Sequence, residues 1–150
     1  KWCSNKLALD RFDPGELIKT IKKHNLYVGT NYMLGFPDET RKEIEETVNF
    51  AKKMMQYGLD HSNFYLVMPV PGTPIFEYCT KNNHLPLDYN PDRFQWTKAN
   101  LKNTDVPPEE LEKIRDKAWD TCNNDEFKNL RRSWKASFGS KSKENINSNI

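Results

Sequence analysis

Two short apolar stretches constrain this chain more than any other feature: each is stopped by Gly and Pro, and each leads straight into helix-starting residues. The first, NYMLGFPDET at residues 31–40, passes through Gly35-Phe36-Pro37 into Asp, Glu and Thr. The second, FYLVMPVPGTP at residues 64–74, repeats the layout about thirty residues later. Nearly continuous apolar runs bounded by turn residues are expected of parallel strands covered on both faces. The spacing therefore predicts strands over 26–35 and 62–69.

Helix signals alternate with them. Asp13 is placed as an N-cap, with Pro14 at the first helical position, Glu16 completing a capping box, and Leu17, Ile18 and Ile21 as the apolar face. Thr40 with Glu43 opens a second helix, in which Ile44, Val48, Ala51 and Met55 recur on one side and Gly58 marks the end. Thr73 and Pro74 open a third. Helix, strand, helix, strand, helix over 13–82 is the order of a parallel α/β domain, with a right-handed crossover between the strands.

Past residue 85 the pattern changes. A loop rich in Pro, Asn and Asp carries Phe94 and Trp96 as expected anchors, and an amphipathic helix follows with Leu111, Ile114, Ala118 and Cys122 on one side. Phe127, Leu130, Trp134 and Phe138 continue helical spacing into a basic tail, and residues 139–150 have no apolar stripe, as expected of disorder. The domain reading is thus 1–85 as α/β body, 86–138 as loop plus helical extension, and 139–150 as tail.

Composition sets limits on function. No apolar run approaches the roughly 20 residues of a membrane span, and no signal peptide is evident at the start. Cys3, Cys79 and Cys122, like His24, His61 and His84, are too scattered for a disulfide framework or a metal site, so a reducing, cytoplasmic setting is expected. The net charge of +2 hides an asymmetry, because residues 127–150 hold six Lys or Arg against Glu144 alone. Asp38 and Glu39 fall where a first helical turn favours acids, which gives them a capping role.

Two parallel strands would leave both outer edges with unpaired backbone groups, and residues 1–9 are too short and mixed to supply a third. With Lys1 rather than Met at the start, the expectation is the second half of a larger α/β barrel or sheet. A homodimer that completes the sheet is the alternative. In such folds ligands sit beyond the carboxyl ends of strands. Gly35 and Gly72 stand there, with Pro37, Pro69 and Pro71 stiffening the loops. Tight strand-to-helix turns would explain the same residues.

Gly35-Phe36-Pro37-x-Glu39-Thr40, a helix, a second strand, and then Pro69-x-Pro71-Gly72-Thr73-Pro74 resemble the later strands of radical S-adenosylmethionine enzymes. The resemblance is strongest to the group that often carries an N-terminal cobalamin-binding domain. It covers about residues 10–80, and the loop at 88–100 is also similar; Asp38 departs from the Gly common in the family.

The resemblance implies the second half of a partial, TIM-like (β/α) barrel with a helical C-terminal extension. It implies an S-adenosylmethionine site over a [4Fe-4S] cluster, with reductive cleavage to a 5′-deoxyadenosyl radical. Cofactor contacts would map onto Asn31, Met33 and Gly35 at the first strand and Val67, Met68 and Pro69 at the second; Met33 and Val67 equally suit a core. Asn31 is the most telling, because a polar side chain within an apolar strand needs a partner. The family's Cys-x-x-x-Cys-x-x-Cys motif is absent, so the cluster ligands must come from elsewhere, the chain is not expected to act alone, and its partner is the missing N-terminal half. Cobalamin would bind upstream and its use is left open, as is the small-molecule substrate.

Two other readings compete. Lys128, Arg131, Arg132 and Lys135 beside Trp134 could contact phosphates. Charge runs usually form solvated faces, however, so nucleic acid is not the expected partner. The helix at 107–122 could instead serve to dock this half onto a missing partner.

Overall fold

The computed structural model describes residues 13–133. Over these residues the chain is a mixed α/β unit: α1 (Pro14–Lys23), β1 (Gly29–Leu34), α2 (Arg41–Met55), β2 (His61–Leu66), α3 (Pro74–Lys81), a 3₁₀ turn (Pro91–Arg93), α4 (Pro108–Thr121) and α5 (125–133). The two strands pair in parallel, with Gly29 opposite His61 and Leu34 opposite Leu66. The alternating elements fall where expected, though both strands are shorter than their apolar runs. Cys3, Trp134, Lys135, Phe138 and the tail 139–150 lie outside the described residues.

The helix starts follow from their caps. Thr40 and Glu43 form the reciprocal capping box, and Thr73 accepts from the Phe76 amide. At α1 the Asp13 carboxylate accepts from the Gly15 and Glu16 amides, but Glu16 turns to Lys19 at 2.7 Å rather than back to the cap. Lys22 reaches Asp60 at 2.7 Å, tying the end of α1 to the approach to β2.

Among the described residues the sheet is covered on one face only. Side chains alternate along each strand. The even-numbered residues Leu34, Phe64 and Leu66 pack under α2 and α4 in one core with Ile44, Val48, Ala51, Leu111, Ala118 and Cys122. The odd-numbered Asn31 and Met33 are exposed, and His61, Asn63 and Tyr65 are half-buried. The near-continuous apolar run of β1 is therefore corrected to a one-sided strand. Leu17, expected on the apolar face of α1, is likewise 49 % exposed, while Ile18 is buried.

The two edges of the sheet also differ, against the expectation that both would be open. The Leu34 carbonyl accepts from the Val67 amide, so the even-numbered backbone groups of β1 face β2. The outward groups of β2 therefore belong to Ser62, Phe64 and Leu66. Asn123 accepts from the Ser62 amide and donates to its carbonyl, both at 2.9 Å. Arg115 Nε donates to the Phe64 carbonyl at 2.9 Å, and the Leu66 amide donates to the Trp96 carbonyl at 2.8 Å. Helix α4, expected as a docking element for a missing partner, packs on β2. On β1 the outward groups are those of Gly29, Asn31 and Met33, and no hydrogen bond reaches them among the described residues.

Candidate functional site

The turn after β1 is built around Glu39. Gly35 sits at φ +82°, in the left-handed region that side chains resist. Its amide donates to Glu39 Oε2 at 2.6 Å and the Phe36 amide does so at 3.2 Å. Glu39 is buried, and burial pushes its carboxyl above the ordinary range against the pull of those two amides. The first-turn capping role expected for Glu39 is thus corrected: it closes the loop at the carboxyl end of β1. A Cβ on Gly35 would lie 2.6 Å from Leu111 Cδ2, so its bareness admits α4.

The turn after β2 is held from several directions. Gly72 is also at φ +82°, and there a Cβ would meet nothing within 4 Å. The Pro69 carbonyl accepts from the Tyr89 hydroxyl at 2.7 Å, and that of Val67 from Asn100 Nδ2 at 3.1 Å. Asp38 accepts from the Tyr78 hydroxyl at 2.7 Å, which links the first turn to α3.

Of the six residues mapped to a cofactor, the structure brings Asn31 and Met33 together on the bare face of the sheet. Gly35 lies buried at the end of that strand. Val67 is buried with Phe36, Cys79 and Leu101, Pro69 is buried, and Met68 is half-buried. The partner that Asn31 needs is Asn63, whose Nδ2 donates to Asn31 Oδ1 at 3.1 Å directly across the strands. Asn63 Oδ1 in turn accepts from Arg131 at 3.5 Å.

Residues that sequence reasoning passed over complete this face. His61 lies over Gly29, whose lack of a side chain makes room for the ring, and it is stacked between Tyr27 (centroids 5.4 Å) and Phe127 (4.6 Å). Burial pushes the His61 imidazole below its ordinary range, against the nearby Asp60 charge and with that of Arg131. Tyr65 meets Trp96 edge-on at 5.6 Å, so Trp96 anchors through its ring edge and backbone carbonyl while remaining 57 % exposed. The signal for Asn63 and Tyr65 was their two-residue alternation with Phe64, which places them opposite the core.

A metal centre finds no ligand set among the described residues, where no cluster of His, Cys, Asp or Glu could hold an ion. Burial pushes the Cys79 thiol up to about 11, and that of Cys122 is also raised, so neither is a ready thiolate. The described residues therefore do not fit an iron–sulfur cluster. In the basic segment, Lys128 pairs with Asp120 at 2.7 Å. No helix of the described residues is long and apolar enough to cross a membrane.

Comparison with known proteins points to enzymes of methyl and methylthio chemistry. Over 104 residues the chain is 36% identical to an uncharacterized methyltransferase of Pyrococcus horikoshii, covering 69% of this chain and 22% of that protein. It is 30% identical over 82 residues to a tRNA-2-methylthio-N(6)-dimethylallyladenosine synthase of Staphylococcus saprophyticus, 53% of this chain and 15% of that one. Over 61 residues it is 31% identical to the bacteriochlorophyllide d C-12(1)-methyltransferase of Chlorobaculum tepidum, 41% and 13% respectively. The chain thus spans about a fifth or less of the length of these curated relatives. No protein-family model matches it, and no solved structure matches it significantly.

Proposed function

We propose that this chain is the C-terminal part of a radical S-adenosylmethionine enzyme, supplying the last two strands of a partial barrel and the helical extension that closes it. The observation that carries the reading is the asymmetry of the sheet. One edge is sealed by α4 and its flanking loops, as suits a terminal strand, while among the described residues the other edge carries no hydrogen bond on its outward groups, as suits a sheet that preceding strands would extend. The two strand-end motifs support it, and so do relatives several times longer that are named for methyl or methylthio chemistry.

In this reading the bare face lines the barrel. Asn31 and Met33 offer an amide and an apolar side chain there, which fits the mixed surface of an adenosyl group, and the turn at Val67, Met68 and Pro69 flanks it beyond the strand ends. When bound, S-adenosylmethionine would supply the hydrogen-abstracting radical chemistry that the resemblance implies. This chain's own part is to position the cofactor and exclude water. Glu39 holds the Gly35 turn in place, and the Asn31–Asn63 pair fixes the amide that faces the ligand. The cluster ligands belong to polypeptide outside this chain.

The test is the coding sequence upstream of Lys1 and its product. An open frame carrying Cys-x-x-x-Cys-x-x-Cys is expected, in a protein that purifies anaerobically with iron and sulfide and binds S-adenosylmethionine. A start codon directly before Lys1, or a longer product with neither motif nor iron, overturns the reading.

A further inference from the structure

Beside β2 the bare face opens into a cleft of about 630 Å³, within the roughly 300–1,000 Å³ of small-molecule sites. Its wall combines three aromatic rings, Tyr65, Phe94 and Trp96, with two guanidinium groups, Arg115 and Arg131, and no carboxylate. That mixture is chemically selective. Trp96 is left 57 % exposed beside the two cations, of which Arg115 is paired with Asp116 outside the cleft wall and Arg131 with no carboxylate among the described residues.

The two arginines play different parts. Arg115 is fixed: its Nε holds the Phe64 carbonyl at 2.9 Å and Nη1 holds Asp116 at 2.6 Å, and its Nη2 makes no hydrogen bond among the described residues. Arg131 reaches only Asn63 Oδ1, at 3.5 Å, and no carboxylate pairs with it among the described residues. A planar guanidinium with free N–H groups is suited to a carboxylate or phosphate, and the flat faces of Trp96 and Tyr65 are suited to a ring.

We propose that this cleft binds a small aromatic anion, a flat ring bearing a carboxylate or phosphate, with the ring against Trp96 and Tyr65 and the anionic group between Arg131 and the Nη2 edge of Arg115. The proposal goes beyond the reading as a radical enzyme and does not depend on it, because every group it uses lies within this chain. Phosphate and carboxylate ligands share the recognition chemistry, so both are tested.

The experiment titrates the full natural protein with phenyl phosphate and benzoate, and separately with inorganic phosphate and phenol, by calorimetry. One of the two ring-bearing anions is expected to bind at least about ten-fold more tightly than either half-molecule. Arg131→Gln and Trp96→Leu, each checked by circular dichroism for an intact fold, are expected to weaken it by about ten-fold or more. A ring-bearing anion no tighter than inorganic phosphate would reduce the site to a patch of positive charge and overturn the proposal. So would unchanged affinity in Arg131→Gln, or no saturation by about 10 mM. If the anion binds but no cluster motif exists upstream, this inference stands and the radical-enzyme reading falls.

Discussion

The two edges of the sheet are made from the same kind of strand yet end in opposite ways. On β2, Asn123 presents a side-chain amide that mimics the backbone of a neighbouring strand, accepting from Ser62 N–H and donating to Ser62 C=O. Arg115 and the Trp96 carbonyl continue the seal. On β1 the outward groups of Gly29, Asn31 and Met33 meet nothing comparable among the described residues. A buried backbone group without a partner costs roughly 1–3 kcal/mol, a cost the seal avoids on β2, where Ser62, Phe64 and Leu66 are buried, and one that does not arise on β1, where Gly29, Asn31 and Met33 are exposed. The difference is that the backbone of β2 is capped within this chain, whereas among the described residues the outward backbone of β1 is left to pair with something else or with water.

The sharpest way to break the contrast is to unseal β2. Asn123→Leu strands the Ser62 N–H and C=O in a buried setting, at about 2 kcal/mol each, so urea unfolding is expected to show a loss of about 4 kcal/mol. A loss under about 1 kcal/mol would mean that water replaces the amide and that the seal is incidental. Next in size is Gly35→Ala, which forces a side chain to φ +82° and presses it toward Leu111. Left-handed strain of about 1–2 kcal/mol and overpacking of about 1–3 kcal/mol together predict a destabilisation of about 3 kcal/mol. A thermal midpoint equal to wild type would show that α4 can shift without harm to the sealed edge.

The helices and strands of 13–82 were legible because caps and apolar spacing act locally: Thr40, Thr73 and the Ile44–Val48–Ala51 face behave as their neighbours in sequence dictate. What sequence did not show is long-range. Glu39 looks like a helix-start acid until Gly35 turns its amide toward it, and Asn123 looks like a polar residue after a helix until β2 lies beside it. One-sided burial of β1 was hidden by composition, since Met33 and Tyr32 are both apolar although only Tyr32 faces the core. Of the candidate site, Asn31 was legible as a residue in need of a partner. Asn63, Tyr65 and His61 were not, because register decides which residues share a face.

The closed, amino-terminal end of the bare face offers a pH test. The His61 imidazole sits below its ordinary range because burial between Tyr27 and Phe127 disfavours the cation. A histidine depressed in this way contributes stability above its unfolded value of about 6.5, and that stability is lost as pH falls through the folded value. Wild type is therefore expected to lose stability between about pH 7 and pH 5 more steeply than His61→Phe, which keeps the ring stack without the proton. Parallel slopes in chemical denaturation would show that the stack tolerates the cation.

The smallest effect belongs to the bare face beside the open edge, and its smallness is the point. Asn31 is exposed, and its side chain meets Asn63 across the strands rather than anything beyond β1. In the 150-residue chain Asn31→Ala is expected to change stability by no more than about 0.5 kcal/mol, as for an ordinary surface residue. In the whole natural protein the same substitution probes a face that upstream strands would enclose. There it would remove a buried amide from Asn63 and from any ligand, with a loss of roughly 1–3 kcal/mol in S-adenosylmethionine binding or in stability. Equal and negligible effects in both would mean that the bare face stays open to water in the intact molecule. A face open to water is not the lining of a closed barrel, and the barrel reading would lose its binding surface.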